Sequence, residues 1–176
     1  LFNTNGGNPS AMIANPLIID SYAPSWGGAA KPILSTGSDL SVFDFTNGST
    51  PDANGGYTLR NLALKGGGVG VRLFNGVQNV ILDNLTIDGF TAGVACGGVV
   101  DPASNPSFIT VRNSTFLNNG AIGIGMFGCP NVLVEGNTLD NNGFVRPGLD
   151  HPIYISGNNY GYVTNNVVID TPKDDD

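Results

Sequence analysis

The chain holds a single histidine, His151, directly after Asp150 and three residues before Tyr154; Arg146 lies four residues before Asp150. Together these side chains carry what proton transfer at carbon needs. An imidazole with an ordinary pKa near about 6.5 serves as a general base close to neutral pH. A tyrosine can hand a proton to a leaving oxygen. An arginine beside a substrate carboxylate stabilises the charge that builds up when a neighbouring C–H is deprotonated. In that scheme His151 is the base, Tyr154 the acid, Arg146 or Arg72 the neutralising cation, and Asp150 the group that orients His151. Each residue also has a plainer use. A histidine beside Pro152 can simply sit on the surface or cap a turn, and Tyr154 can stack on its neighbours. Asp150 can cap a turn, and Arg146 precedes a Pro147-Gly148 turn.

These residues sit on and around an insertion in an internal repeat. Five segments align: Leu59-Arg60-Asn61, Leu82-Asp83-Asn84, Val111-Arg112-Asn113, Val134-Glu135-Gly136 and Val163-Thr164-Asn165, spaced 23, 29, 23 and 29 residues apart. Five residues after each start comes another apolar residue: Leu64, Ile87, Phe116, Leu139 and Val168. A second strand follows in four repeats, beginning Gly70-Val71, Gly93-Val94, Gly123-Ile124 and Pro152-Ile153. Its alternation groups Val71, Val94, Ile124 and Ile153 with Leu73, Cys96, Met126 and Ile155 on one face, and sets Arg72, Ala95, Gly125 and Tyr154 on the other. One such unit cannot bury its apolar face alone; stacking supplies the missing neighbour. From repeat start to second strand is 12 or 13 residues in three repeats and 19 in the fourth, where Phe144–His151 is inserted. Loops on a rigid scaffold are a common place for binding groups.

Two further columns follow from the alignment. Asn61, Asn84, Asn113 and Asn165 fall where one strand must bend into the next; Asn tolerates left-handed backbone and its amide can bond its counterpart one coil away. This ladder is expected to face inward, which discounts the glycosylation sequons at Asn84 and Asn113. The outward column Arg60, Asp83, Arg112, Glu135, Thr164 alternates in sign. With strands about 4.8 Å apart it reads as a salt-bridge ladder, or as a sugar-binding strip in which Arg60 and Arg112 hold carboxylates.

Composition agrees with many short strands and turns. Gly supplies 26 residues and Asn 22, there is one Glu against 13 Asp, and charged residues make up 12%. The net charge of −7 disfavours nucleic acid as a partner, and no apolar run approaches the roughly 20 residues of a membrane-spanning helix. Cys96 and Cys129 can pair across neighbouring coils or lie buried as small apolar groups; the sequence leaves both open. Asp83, Asp88, Asp101 and Asp140 offer carboxylates for hydrolysis or for Ca²⁺, but no spacing singles out a pair and no calcium-binding repeat is present. Calcium is thus the one cofactor left open; no metal-ligand set is assigned.

The runs Val111–Gly120 and Val134–Gly143 resemble the coil repeats of the right-handed parallel β-helix superfamily, which includes pectate and alginate lyases, mannuronan epimerases and polygalacturonases. The likeness covers roughly residues 57–170. It implies an all-β, single-stranded right-handed solenoid of about five to seven coils. Less regular N-terminal coils occupy 1–56 and an acidic tail 171–176. In the N-terminal part Pro16–Asp20, Lys31–Leu34 and Val42–Phe45 read as strands, with Ser25–Gly28 in a loop. Asp150–Ser156 is similar to a His-x-Ile-Tyr stretch of some lyase and epimerase relatives. It shares only Asp-His with the pectate lyase pattern, and the polygalacturonase motifs are absent. The resemblance implies a carbohydrate-active protein, of lyase or epimerase type on a uronic-acid polysaccharide, or a non-catalytic carbohydrate-binding or adhesion module. His151, Tyr154, Arg146 and Asp150 are its catalytic candidates, and Arg72, Arg60, Arg112 and Tyr160 its substrate-binding candidates. It also implies a secreted, extracellular or periplasmic setting. The chain starts at Leu1 with no signal peptide in view and stops without a cap. The expectation is a longer natural protein, an inactive fragment of one, or end-to-end self-association.

Overall fold

The computed structural model describes residues 2–3, 17–22, 30–46, 54–97, 105–157 and 160–169. The loop at Ser25–Gly28, Asp101 and the acidic tail lie outside the described residues. Every pairing is parallel, in three sheets that the chain visits in turn. Sheet one holds β2 (Leu17–Asp20), β6 (Tyr57–Arg60), β9 (Val77–Asp83), β12 (Ser107–Arg112), β15 (Val132–Glu135) and β18 (Tyr162–Thr164) in that order, with β5 (Asn54–Gly55) beside β9. Sheet two holds β3 (Ile33–Ser35), β7 (Ala63–Lys65), β10 (Thr86–Asp88), β13 (Thr115–Leu117), β16 (Thr138–Asp140) and β19 (Val167–Ile169). Sheet three holds β1 (Phe2–Asn3), β4 (Ser41–Thr46), β8 (Val69–Phe74), β11 (Ala92–Gly97), β14 (Ile122–Phe127) and β17 (His151–Ser156). One strand from each sheet makes a coil, so β2-β3-β4 is the first complete coil and β15-β16-β17 the fifth. The architecture is a parallel β-helix. The three strands expected before residue 56 are all present, and they pair in register with the next coil: Ile19 with Leu59, Leu34 with Leu64, Phe43 with Val71.

The interior is made of files of like side chains. Leu59, Leu82, Val111, Val134 and Val163 are register partners from coil to coil. The first four are fully buried, while Val163 in the last described coil is 51% exposed. Leu64, Ile87, Phe116 and Leu139 form the matching file of sheet two. Full burial of each such side chain is worth about 1.5–3 kcal/mol. At the first coil Phe45 stacks on Tyr57 with ring centroids 4.4 Å apart.

The corner between sheets two and three explains a run of glycines. At Gly70-Val71, Gly93-Val94 and Gly123-Ile124 two successive residues are buried. A Cβ on Gly93 would lie 2.5 Å from the Gly123 carbonyl oxygen and 2.9 Å from Phe116 Cδ1; a Cβ on Gly70 or Gly123 would lie at the same 2.5 Å from the carbonyl oxygen of Gly93 or Pro152 in the next coil. Hydrogen there lets the coils approach closely.

The Asn ladder needs a correction. Asn61, Asn84, Asn113 and Asn165 do adopt the left-handed conformation, with φ between 50° and 58°, but they face outward. Asn84 and Asn113 are exposed, so an inward orientation does not argue against the two sequons. At this two-residue bend the left-handed residue turns its side chain to solvent and the next residue points in. The buried amide ladders lie one residue on. Asn119 Nδ2 donates to Asn142 Oδ1 at 2.7 Å, and Asn137 Nδ2 to Asn166 Oδ1 at 2.9 Å. The Asn119 and Asn137 carbonyl oxygens accept the backbone N–H groups of Phe90 and Ser114. These inner amides satisfy donors that the bends remove from the sheets. Outside, Asn84 donates to Asn61 at 2.8 Å, while Asn113 and Asn61 donate to Asp83 and Asp20.

The two cysteines are joined: Cys96, in the inward file of sheet three, is disulfide-bonded to Cys129 with 6.5 Å between Cα atoms.

Candidate functional site

His151 and Tyr154 lie on the outer face of sheet three. They are three residues apart, yet share that face because Pro152 and Ile153 sit at the corner where two successive positions turn toward the core. Their rings stack, with centroids 5.3 Å apart and 14° between planes. Phe127, one coil back, completes the cluster at 5.4 Å from Tyr154. Beneath them runs the outward column read from the sequence, Arg72, Ala95, Gly125 and Tyr154, which the structure extends by Asp44. Gly125 has no side chain because a Cβ would meet Phe127 Cε2 at 2.7 Å; the ring occupies that space. The Phe127 ring therefore covers the column next to Tyr154, Ala95 is the small residue between it and Arg72, and three rungs of about 4.8 Å separate Arg72 and Tyr154 by about 14 Å along the axis. Arg72 is held in place: Nη1 is 3.5 Å from Asp44 Oδ2 and its guanidinium carbon is 4.6 Å from the Phe74 ring centroid. A flat cation over an aromatic face, partly paired with a carboxylate, is fixed in direction while its remaining N–H donors stay available.

The inserted loop does not close over His151 and Tyr154 as one groove. It folds back along the corner between sheets two and three. The Val145 N–H bonds the Gly120 carbonyl at 3.0 Å, and the tight turn Arg146–Asp150 closes on the Arg146 carbonyl. Arg146 and Asp150 then bond each other through Nε (3.2 Å), Nη2 (2.7 Å) and the Arg146 backbone N–H (2.9 Å). The Asp150 side chain is 2% exposed. Hydrogen bonds from Arg146 hold its carboxyl below the usual carboxylate range, against the opposing effect of burial, and the pairing raises Arg146 further. The turn borders a groove of about 460 Å³ walled by Phe90, Thr91, Asn118, Phe144 and Val145. His151 and Tyr154 are not among its lining residues. The four residues grouped by sequence thus fall into a stacked His-Tyr pair on a sheet and an Arg-Asp pair that locks the neighbouring loop.

The other candidates lie elsewhere. Arg60 and Arg112 stand in the outward column of sheet one, paired with Asp20 at 2.6 Å and Asp83 at 2.9 Å. Hydrogen bonds from Asn61 and then Arg60 lower the Asp20 pKa. In Asp83 burial pushes upward but is outweighed by hydrogen bonds from Arg112 and Asn113. Exposed pairs of this kind add little to stability. Both arginines are thus engaged in separate carboxylate pairs, Arg60 with Asp20 and Arg112 with Asp83. Tyr160 lines a separate groove of about 390 Å³ with Phe108, Leu133 and Tyr162. Asp88 accepts from Asn118 and lies 3.6 Å from Lys65. Among the described residues no three His, Cys, Asp or Glu side chains converge as a metal centre would require.

Phe127 and Phe74 were not singled out from the sequence. Each follows an inward residue of the repeat, Met126 or Leu73, and an aromatic at that outward position was the available signal.

Three parallel sheets visited in turn define a parallel β-solenoid. Residues 46–172 match the family model described as right-handed beta helix region, and the chain belongs to that family. No curated protein and no solved structure matches the chain.

Proposed function

We propose that the protein acts on an acidic polysaccharide, as a lyase or epimerase, with the polymer lying along the outer face of sheet three. One observation carries this reading: an imidazole and a phenol stacked at 5.3 Å, with Phe127 against the phenol, on a sheet face whose same column bears Arg72. His151 takes the C5 proton of a uronate unit. In elimination the C4–O bond breaks, a C4–C5 double bond forms and Tyr154 gives its proton to the departing oxygen; in epimerisation a proton returns to C5 from the opposite face. Arg72 holds the carboxylate of a unit farther along the chain. Arg146, engaged by Asp150 on the neighbouring loop, is not assigned to the reacting unit. The disulfide supports a secreted or periplasmic setting, where such bonds persist. Further coils, or end-to-end association of copies, would extend the same face.

A second reading, a non-catalytic carbohydrate-binding module, draws on the Arg146–Asp150 pair, which leaves His151 without a carboxylate partner at hydrogen-bond distance among the described residues. One assay separates the two. Pectate and alginate are incubated with the protein, with and without calcium. Unsaturated ends are followed by ultraviolet absorbance and C5 configuration by NMR. The enzyme reading requires a rate that falls by about 10²- to 10⁴-fold in His151→Ala. Absence of both products, with polymer binding retained, selects the module.

A further inference from the structure

Among the described residues, eleven non-glycine positions adopt left-handed backbone, and nine of them are Asn. The other two are Phe108 and Tyr160, with φ of 56° and 60°. Both belong to one column, the residue just before the core position of sheet one: Gly56, Asn79, Phe108, Asn131 and Tyr160 all have positive φ. The stack thus demands this conformation at that place in every coil. Three coils meet the demand with Gly or Asn, which tolerate it; two use bulky aromatics, which do not. Backbone strain of this kind persists where the side chain is wanted. Both rings are held out of the core, 53% and 77% exposed, and both line the same groove with Leu133 and Tyr162, the latter 66% exposed.

We propose that this groove is a second saccharide-binding site, separate from the face that carries His151, and that it takes a neutral sugar chain running along the helix axis. Phe108 and Tyr160 are two rungs apart, about 9.6 Å, a span covered by a disaccharide unit, and Tyr162 widens the platform. Aromatic faces pack against the C–H faces of pyranose rings, and the Asn131 amide between the two aromatics offers hydroxyls both a donor and an acceptor. Glu135 stands on the same outer face two residues beyond Leu133 with no ion pair among the described residues, while Arg112 beside it is engaged by Asp83. Among the described residues no cationic side chain lines the groove, so it offers a polyuronate no partner, and neutral glycans are the ligand class.

The test uses the full chain with cellohexaose and, as the acidic counterpart, an oligogalacturonate of the same length, read by NMR titration and calorimetry. Wild type is expected to bind cellohexaose, with shifts at Tyr160 and Tyr162. Phe108→Asn should weaken that binding at least tenfold while raising the Tm by about 2–4 °C, because Asn already serves at positions 79 and 131. Tyr162→Ala should weaken binding without the gain in Tm. The proposal is overturned if neither sugar binds, or if only the oligogalacturonate does. It is also overturned if Phe108→Asn leaves binding unchanged, or if the patch proves only to drive self-association that Phe108→Asn abolishes. None of these outcomes bears on lyase or epimerase activity at His151, so the two sites can fail separately.

Discussion

Replacing Gly93 by alanine adds one methyl group at the point where coils come closest. That Cβ would stand 2.5 Å from the Gly123 carbonyl oxygen, 2.9 Å from Phe116 Cδ1 and 3.3 Å from Asn119 Nδ2. Comfortable contact needs about 3.5 Å or more, so the neighbouring backbone would have to retreat by about 1 Å. It has little room: a Cβ built on Gly123 would likewise stand 2.5 Å from the Pro152 carbonyl oxygen, so the next rung is packed as closely, and Phe116 is fully buried. Overpacking of a tight core costs about 1–3 kcal/mol, and backbone here can only shift as a whole rung, so the upper end applies. A loss of about 3 kcal/mol lowers Tm by about 6–12 °C in a chain of this size. The control lies on the same strand. An added Cβ at Gly97 meets nothing closer than 3.5 Å, so Gly97→Ala should be neutral or slightly stabilising through reduced freedom of the unfolded chain. Thermal unfolding followed by far-ultraviolet circular dichroism compares the two. Equal Tm values for Gly93→Ala and Gly97→Ala would refute the stacking geometry at this corner.

Three other outcomes follow from the same coordinates. Reducing the disulfide, which spans 33 residues, should cost about 3–4 kcal/mol on the chain-entropy model, seen as a Tm about 10 °C lower with reductant. Asn119→Ala should cost about 1–3 kcal/mol, because the Phe90 N–H loses its buried acceptor and Asn142 its partner; denaturant unfolding measures it. Asp20, Asp83 and Asp150 have folded pKa values depressed below 3.8. Their contribution is therefore fully present above the unfolded value and is lost as pH falls through the folded values. Tm should decline below about pH 4, and less steeply in Asp83→Asn and Asp150→Asn.

The coil was legible because its signal repeats. Leu59, Leu82, Val111 and Val134 recur at matched offsets, and only stacking gives such a pattern a use. Faces at the bends were not legible in the same way. Asn118-Asn119, Asn141-Asn142 and Asn165-Asn166 are pairs of identical residues of which one points out and one in. Composition does not distinguish them; left-handed φ at the first of each pair does. His151 and Tyr154 could be named from their chemistry, and Tyr154 placed by alternation. That they touch depends on the Pro152-Ile153 corner, which breaks the two-residue period. The Arg146–Asp150 pair depends on how the inserted loop turns, which no repeat elsewhere in the chain duplicates. Tyr160 was a substrate-binding candidate from the sequence, but its partnership with Phe108 was not legible, because a backbone angle has no letter in the sequence.

The measurement that bears most directly on the account is a crystal structure of Tyr154→Phe with a bound oligouronate, a variant that keeps the ring stack and removes the acid's proton. The account predicts sugar lying along sheet three, with a C5 hydrogen facing His151 and a carboxylate on Arg72. Sugar lodged only in the groove beside Phe144, or only against Phe108 and Tyr160, would contradict it.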